Sequence, residues 1–75
     1  MEGILRYNSN EKRFGVWSGK RWENEGLHCG DNLKVLLNDT WVETRIELNY
    51  SSGEWYLDGL RLKGDLLEGL FVFVY

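Results

Sequence analysis

The sequence predicts a small all-β domain: an SH3-like barrel of five or six antiparallel strands, with one short helical turn before the last strand. Turn-forming residues recur roughly every eight to twelve residues, which is the spacing typical of small all-β domains. Apolar and polar side chains alternate between residues 41 and 50, which is the pattern of a half-buried strand. No segment keeps a helical period over three turns. An OB-like barrel is the nearest alternative, but this sequence has no candidate for the fuller mid-chain helix that an OB-like barrel usually contains.

The size and composition indicate one domain spanning residues 1–75. Hydrophobic residues make up 43% of the chain and aromatic residues 15%, which is enough large apolar surface for a core. The single cysteine excludes an internal disulfide. No apolar run resembles a signal peptide or a membrane span, so we expect a cytoplasmic protein that does not contact the membrane.

The charge balance disfavours DNA or RNA as a partner. The formal net charge is −3, whereas nucleic-acid binders need a positive surface to displace counterions from phosphates. Two weak basic clusters, Lys12–Arg13 and Lys20–Arg21, are diluted by neighbouring Glu11, Glu23 and Glu25.

In the first part of the chain, apolar runs at 4–7 and 13–17 flank the turn-forming residues 8–11. This arrangement predicts an N-terminal β-hairpin. The polar interval 18–32 is long for a connection in so small a domain, so we expect it to contain a strand around Trp22.

The central part of the chain predicts a second hairpin, because Asn38-Asp39 follows the apolar run 33–37. In the following strand, 41–50, the side chains divide between two faces. The predicted inner face carries Val42, Thr44, Ile46, Leu48 and Tyr50. The predicted outer face carries Trp41, Glu43, Arg45, Glu47 and Asn49.

The last part of the chain predicts two more strands and a helical turn. After a turn at 51–53, Trp55 and Leu57 should face inward, while Glu54, Tyr56 and Asp58 face outward. In the segment 64–69, Asp65 and Glu68 form a capping-box-like pattern around a single helical turn.

The final run, 70–75, is apolar on both faces. A strand of this kind is either buried on both sides or pairs with something outside the domain.

His28 and Cys29 are the only histidine and the only cysteine, and they stand directly before Gly30 and Asp31. A structural zinc site needs about four nitrogen or sulfur ligands. This chain offers two such ligands, and they are adjacent in sequence. Because adjacent strand residues point to opposite faces, His28 and Cys29 could not readily share a metal ion or form a Cys–His nucleophile pair. We therefore predict a structural turn here, with Cys29 packed as a small hydrophobic residue and with no metal or cofactor bound.

The acidic residues Glu43, Glu47, Glu54 and Asp58 could in principle include a catalytic acid and base. A shallow barrel of this size rarely encloses the apolar pocket that such a pair requires. Ion pairing between strands, centred on Arg45, is the simpler interpretation. We therefore predict no catalytic residues and no enzymatic activity.

Several aromatic residues stand at positions that packing does not explain. Trp41 and Tyr56 fall on the polar phases of their strands, and Trp17 and Trp22 stand beside charged or small residues. Aromatic rings next to carboxylates suit a groove for a basic or proline-containing peptide. The alternative is that these rings only cover the ends of the barrel. The predicted binding residues are Trp41, Arg45, Glu47, Tyr56 and Trp17.

Three short motifs carry a resemblance to a known family: Gly30-Asp31-x-Leu33, Trp41 with Arg45-Ile46-Glu47, and Trp55-Tyr56-Leu57. With these motifs, the sequence from Gly3 through Leu70 resembles an uncharacterised family of small proteins from Gram-positive gut bacteria and their mobile elements. The resemblance implies a small β-barrel and at most an accessory role in such elements. It implies no catalytic residue.

Three functional hypotheses follow. The first is a non-enzymatic module that binds a protein or peptide segment through its aromatic and acidic strand face. The second is an assembly protein that self-associates through its apolar C-terminal strand, so that the chain is either a monomer or a homodimer. The third, an enzyme, would need a concave pocket around His28 or around paired carboxylates.

Overall fold

A computed structural model describes all residues from 1 to 75. The chain forms eight strands and one short 3-10 turn, Gly64–Leu67. The strands are β1 (Glu2–Asn8), β2 (Arg13–Trp17), β3 (Trp22–Asn24), β4 (Asn32–Leu37), β5 (Thr40–Asn49), β6 (Glu54–Leu57), β7 (Leu62–Lys63) and β8 (Phe71–Val74).

All eight strands belong to one sheet with the order β3-β2-β1-β8-β4-β5-β6-β7. Every neighbouring pair is antiparallel. The prediction of an all-β domain with a helical turn before the last strand is therefore confirmed. The strand expected around Trp22 is confirmed as β3. The strand number is eight rather than five or six, and β7, which has only two residues, shows no alternation in the sequence.

The sheet bends around one core, which makes the domain barrel-like. β2 and β6 are separated by four strands in the sheet order, yet the Arg13 guanidinium carbon lies 5.7 Å from the centre of the Trp55 ring. The residues between β3 and β4 help to close the structure, since the Leu27 amide donates to the Phe14 carbonyl oxygen at 2.8 Å. The core consists of Leu5, Phe14, Val16, Leu27, Leu33, Val35, Ile46, Trp55, Leu57, Leu67, Val72 and Val74.

Both predicted hairpins are confirmed. In the first, β1 pairs with β2 from Ile4 opposite Trp17 to Asn8 opposite Arg13. In the second, Asn38 and Asp39 have φ angles of +49° and +64° between β4 and β5. Two consecutive left-handed residues are typical of the type I′ turn, whose twist matches that of the flanking strands.

The alternation predicted for β5 is confirmed along the strand but fails at its last residue. Thr44 and Ile46 are buried, and Val42 and Leu48 are half-buried. Tyr50 is 82% exposed, so the prediction that it faces the core is wrong. The strand ends at Asn49, and the turn that follows no longer keeps the two-residue period.

The facing of β6 agrees with the prediction. Trp55 and Leu57 are buried, while Glu54 is exposed and Tyr56 half-buried. Asp58, just after the strand, is also exposed.

The helical turn before β8 is confirmed, but the predicted capping box is wrong. The residue at the N-cap position is Lys63, which makes no side-chain capping hydrogen bond. Gly64, with a φ of +57°, begins the turn, so Asp65 already lies inside it. Glu68 instead accepts a hydrogen bond from the Tyr7 amide at 3.0 Å. The chain has no helix with the length and apolar character needed to cross a membrane.

The C-terminal strand β8 lies in the middle of the sheet, where it pairs with β1 on one edge and with β4 on the other. A second copy therefore cannot pair with the backbone of this strand, because both of its edges are occupied. Its inner side chains, Val72 and Val74, are buried. On its outer side, Phe71 is exposed and Phe73 half-buried. Contact through these outer side chains is the form of self-association that the topology leaves open.

Candidate functional site

The predicted binding residues do not form one site. Arg45, Glu47 and Tyr56 do come together, since Glu47 lies opposite Tyr56 in the register of β5 and β6. Trp41 lies at the other end of β5, six residues before Glu47, which corresponds to about 20 Å along a strand. Trp17 lies on β2, four places from β5 in the sheet order.

The charges around Arg45 are paired within the chain. Its Nε lies 3.3 Å from Glu47 Oε2, and its Nη2 lies 3.1 Å from Asp58 Oδ2. The predicted ion pairing between strands is thus confirmed. Because these carboxylates already have a guanidinium partner, this cluster offers little attraction to a basic ligand.

The turn predicted at His28-Cys29-Gly30-Asp31 is confirmed. The His28 amide donates to Asp31 Oδ2 at 2.8 Å, the Asp31 amide donates to the His28 carbonyl oxygen at 3.0 Å, and Gly30 has a φ of +88°. The predicted packing of Cys29 is wrong: the residue is exposed, because the turn directs it away from the core. Its Sγ lies 3.7 Å from the Tyr50 hydroxyl. The chain has no group of three or more His, Cys, Asp or Glu side chains arranged to hold a metal ion.

A different arrangement, which we call the outer row, runs across the solvent face of the sheet. On one side of β8, Trp22 lies opposite Trp17, Trp17 opposite Ile4, and Ile4 opposite Phe71. These four residues belong to β3, β2, β1 and β8, which are consecutive in the sheet.

The outer row continues on the other side of β8. Leu36 lies opposite Trp41 in the pairing of β4 with β5. Val35 lies opposite Val72, so the same antiparallel register brings Leu36 opposite Phe71 one residue further along. The complete outer row is Trp22, Trp17, Ile4, Phe71, Leu36 and Trp41.

The outer row faces solvent because its chain neighbours Leu5, Val16 and Val72 point into the core, and adjacent strand residues point to opposite faces. Phe71 is 59% exposed and Trp41 43%, and the other four residues are half-buried. Strands lie about 4.8 Å apart, so a row across six strands is about 24 Å long.

The tryptophans at the two ends of the outer row have different surroundings. The rings of Trp17 and Trp22 meet edge to face with their centroids 5.2 Å apart, and the Arg6 guanidinium carbon lies 4.8 Å from the centre of the Trp17 ring. At the other end, Trp41 lines a shallow cleft of about 210 Å³ together with Glu2, Lys34 and Phe73.

The two ends of the outer row differ in charge. The end with Trp17 and Trp22 has a basic excess, and the end with Trp41 has an acidic excess. The charged residues near the first end are Arg6, Lys20, Arg21 and Glu23. Those near the second end are Glu2, Lys34, Asp39 and Glu43.

Four members of the outer row have a signal in the sequence. Trp17, Trp22 and Trp41 are aromatic residues at positions that packing does not explain, and Phe71 belongs to the run 70–75, which is apolar on both faces. Ile4 and Leu36 carry no such signal, because only the strand order and register bring them beside the aromatic members.

Beside the Trp41 end, the Tyr75 hydroxyl donates a hydrogen bond to Glu43 Oε1. This hydrogen bond favours the protonated phenol and raises the pKa of Tyr75 above its ordinary value of 10.0. The folded-state pKa is thus higher than the unfolded one. The hydrogen bond therefore stabilises the folded state fully at a pH below the ordinary tyrosine pKa, and this stabilisation is lost as the pH rises through the folded-state pKa of Tyr75.

We therefore expect the Tyr75 phenol to titrate later than a free tyrosine, and the Glu43→Gln substitution to bring its pKa back toward the ordinary value. The measurement is an alkaline NMR titration of the Tyr75 Cζ resonance. Glu47→Gln, which removes a carboxylate of another cluster, is the matched control. Equal Tyr75 midpoints in the wild-type protein and in Glu43→Gln would contradict this assignment.

The fold and the outer row together define a small antiparallel β domain with an apolar surface exposed across its sheet. The chain belongs to a family described as a domain of unknown function, DUF5348, whose profile matches residues 3–74. The resemblance to an uncharacterised family is thereby confirmed, whereas the association with mobile elements stays a prediction.

A crystal structure of a protein from the Gram-positive bacterium Ruminococcus gnavus is similar to this chain over nearly the whole length of both. The two sequences are 36% identical, the match covers 96% of this chain and 97% of the other, and the TM-score is 0.77. The comparison with curated proteins finds no match.

Proposed function

We propose that this domain is a non-enzymatic protein-binding module and that the outer row is its contact surface. The observation that supports this function is the continuous row of six large apolar side chains on the solvent face. Contiguous exposed apolar surface is uncommon on soluble monomers and marks interaction sites. Tryptophan and phenylalanine are also enriched at the centres of protein interfaces, and tryptophan is among the residues that contribute most to their affinity.

The shape of the outer row favours a protein segment over a small molecule. Small-molecule sites are concave and enclose most of the ligand, whereas the outer row crosses the surface of a sheet. Its length of about 24 Å matches about seven residues of extended chain, at about 3.3 Å per residue. The cleft beside Trp41 has a volume of about 210 Å³, which suits one side chain of such a segment.

The arrangement of the candidate acids supports a role without catalysis. Glu47 and Asp58 are paired with Arg45, and Glu43 accepts from Tyr75. A catalytic acid or base must be free to contact a substrate, whereas each of these carboxylates is already bound to a partner within the chain. We also propose a cytoplasmic location for the interaction.

Self-association is the second candidate function, and the charge difference along the outer row favours it. In a twofold dimer each copy presents the same surface, so two outer rows can pack in opposite directions. The basic end near Trp17 then meets the acidic end near Trp41.

Sedimentation at tens of micromolar decides between the two candidate functions. A wild-type dimer that the Phe71→Lys substitution dissociates supports self-association, and a wild-type monomer contradicts it.

The proposed function is tested by affinity capture from a bacterial lysate with the immobilised wild-type domain and with Trp41→Ala and Phe71→Ala variants. We expect a defined protein that the wild type retains and that each variant loses at least about tenfold, since interface aromatics contribute about 1.4 kcal/mol or more. Tyr50→Ala removes an aromatic ring that is 82% exposed and lies outside the outer row, and it should retain the partner. A partner captured equally by all four proteins would argue against the outer row as the contact surface.

A further inference from the structure

A second cleft lies at one open end of the barrel, away from the outer row. Its volume is about 300 Å³. The side chains that line it come from the two ends of the sheet and from the segment around the 3-10 turn. They are Tyr7, Phe14, Glu54, Trp55, Asp65 and Glu68, and we call this cavity the barrel-mouth cleft.

Three aromatic rings form the walls of the barrel-mouth cleft. Tyr7 lies opposite Phe14 in the register of β1 and β2, and their rings meet edge to face with centroids 5.3 Å apart. Phe14 and Trp55 are buried core residues, so their positions are fixed by packing. Tyr7 is 43% exposed and leaves the cleft open to solvent.

The rest of the lining is acidic, with the carboxylates of Glu54, Asp65 and Glu68 and no Lys, Arg or His. Glu68 is held in place by the hydrogen bond that it accepts from the Tyr7 amide. Glu54 Oε2 lies 2.7 Å from the place where a Cβ on Gly64 would stand, so a glycine at this position makes room for the carboxylate. The nearest cation to Glu54 is Lys63, whose Nζ is 4.0 Å from Oε1 on a largely exposed side chain.

Trp55 also lines a neighbouring cleft, which contains Arg13. There the Arg13 guanidinium carbon lies 5.7 Å from the centre of the Trp55 ring, within the range of a cation–π contact. The same indole thus contacts a cation belonging to the chain in one cleft and borders the barrel-mouth cleft, which is lined by three carboxylates. Of these three, Glu54 alone is paired, through the long contact with Lys63 at 4.0 Å.

We propose that the barrel-mouth cleft binds an organic cation the size of one side chain, an alkylammonium or a guanidinium group. Aromatic faces attract such cations, and the three carboxylates add charge complementarity. The carboxylates are not grouped closely enough to hold a metal ion, and the aromatic walls suit the apolar stem of a cation with a carbon chain. The volume is at the lower end of the range for ligand sites, which matches a single side chain.

The source of the cation that we infer is a lysine or arginine of a bound protein segment. This source, but not the cleft's preference for cations, rests on the proposed protein-binding function. It also gives a position to the predicted combination of aromatic rings and carboxylates for a basic peptide. Tyr56 shares a cleft with Glu54 too, but Arg61 and Lys63 also line that cleft, whereas no cation lines the barrel-mouth cleft.

The test is a ¹H–¹⁵N NMR titration of the purified domain with Nα-acetyl-lysine methylamide and Nα-acetyl-arginine methylamide. We expect shifts centred on the Trp55 indole and on the Tyr7 and Glu68 amides, with affinity at least about tenfold above that of neutral Nα-acetyl-norleucine methylamide. Equal binding of the norleucine compound, or shifts centred elsewhere, would overturn the proposal.

Charge variants distinguish the effect of the carboxylates in the barrel-mouth cleft on cation affinity from the effect of the overall charge of the domain. The Asp65→Asn/Glu68→Gln double variant should bind the lysine compound at least about tenfold more weakly, and the amide oxygen of the new glutamine still accepts from the Tyr7 amide. The control Glu25→Gln/Asp58→Asn removes the same charge at two exposed positions outside the barrel-mouth cleft and should bind like the wild type. An equal loss of affinity in both double variants would mean a general charge effect and would overturn the site.

A third arm identifies the source of the cation by comparing n-butylamine with a seven-residue peptide that has one central lysine. Tighter binding of the peptide supports a protein segment, whereas equal binding would overturn that source in favour of a free amine. These titrations use the isolated domain, so they do not depend on whether a partner is captured through the outer row.

Discussion

Replacing Gly15 with alanine is expected to destabilise the domain by about 3 kcal/mol or more, at the upper end of what overpacking costs. Gly15 is a buried residue of β2, and a Cβ there would lie 2.3 Å from the Asn24 carbonyl oxygen and 3.0 Å from the Glu25 carbonyl carbon. Both are backbone atoms, so the added methyl group can only be accommodated by moving β3 away from β2. Urea denaturation followed by tryptophan fluorescence measures the decrease in the free energy of unfolding.

Gly26→Ala is the matched control for this substitution. The Cβ atom there would meet the Arg13 Cδ at 3.0 Å, and this long side chain can move aside. We expect a change within about 1 kcal/mol. If Gly26→Ala and Gly15→Ala lost the same stability, the close backbone approach at Gly15 would not be the cause.

Leu5→Ala is expected to cost about 2–5 kcal/mol, which is the usual range for a leucine deleted from a packed core. Leu5 is fully buried, and its amide and carbonyl groups bond to Leu70 and Gly69, each at 2.8 Å. A domain of this size has a total stability of roughly 4–11 kcal/mol, so the substitution removes a large share of it. In a thermal melt, each kcal/mol should lower Tm by roughly 4–8 °C.

Leu66→Ala makes the same chemical change at a position that is 60% exposed. We expect the free energy of unfolding to change by no more than about 0.5 kcal/mol, because the Leu66 side chain buries little apolar surface. A Leu66→Ala loss as large as that of Leu5→Ala would contradict the assignment of the core.

Much of the fold could be predicted from the sequence, because two-residue periodicity specifies which side chains of a strand face the core. Along β5 and β6 this rule places Ile46, Trp55 and Leu57 inside correctly. It fails at Tyr50, where the strand has already ended. The capping box fails for a related reason, since the turn begins at Gly64, one residue earlier than the Asp65 pattern implies.

The candidate site was less predictable, because it depends on which strands become neighbours. Leu36 and Phe71 are distant in the chain and meet only because β8 inserts between β1 and β4. A sequence pattern shows the face of each strand but not the strand that lies beside it. For the same reason the sequence reveals the chemistry of acids beside aromatic rings, but not its place at the barrel-mouth cleft, between Tyr7 and Trp55.

Photo-crosslinking from position 71 tests most directly whether the outer row is a contact surface. A benzophenone amino acid replaces Phe71, the most exposed member of the outer row, and a second variant carries it in place of exposed Tyr50 on another part of the surface. After irradiation in cells, we expect a defined adduct from position 71 and none of the same mass from position 50. Identical adducts from both positions, or no adduct from position 71, would contradict it.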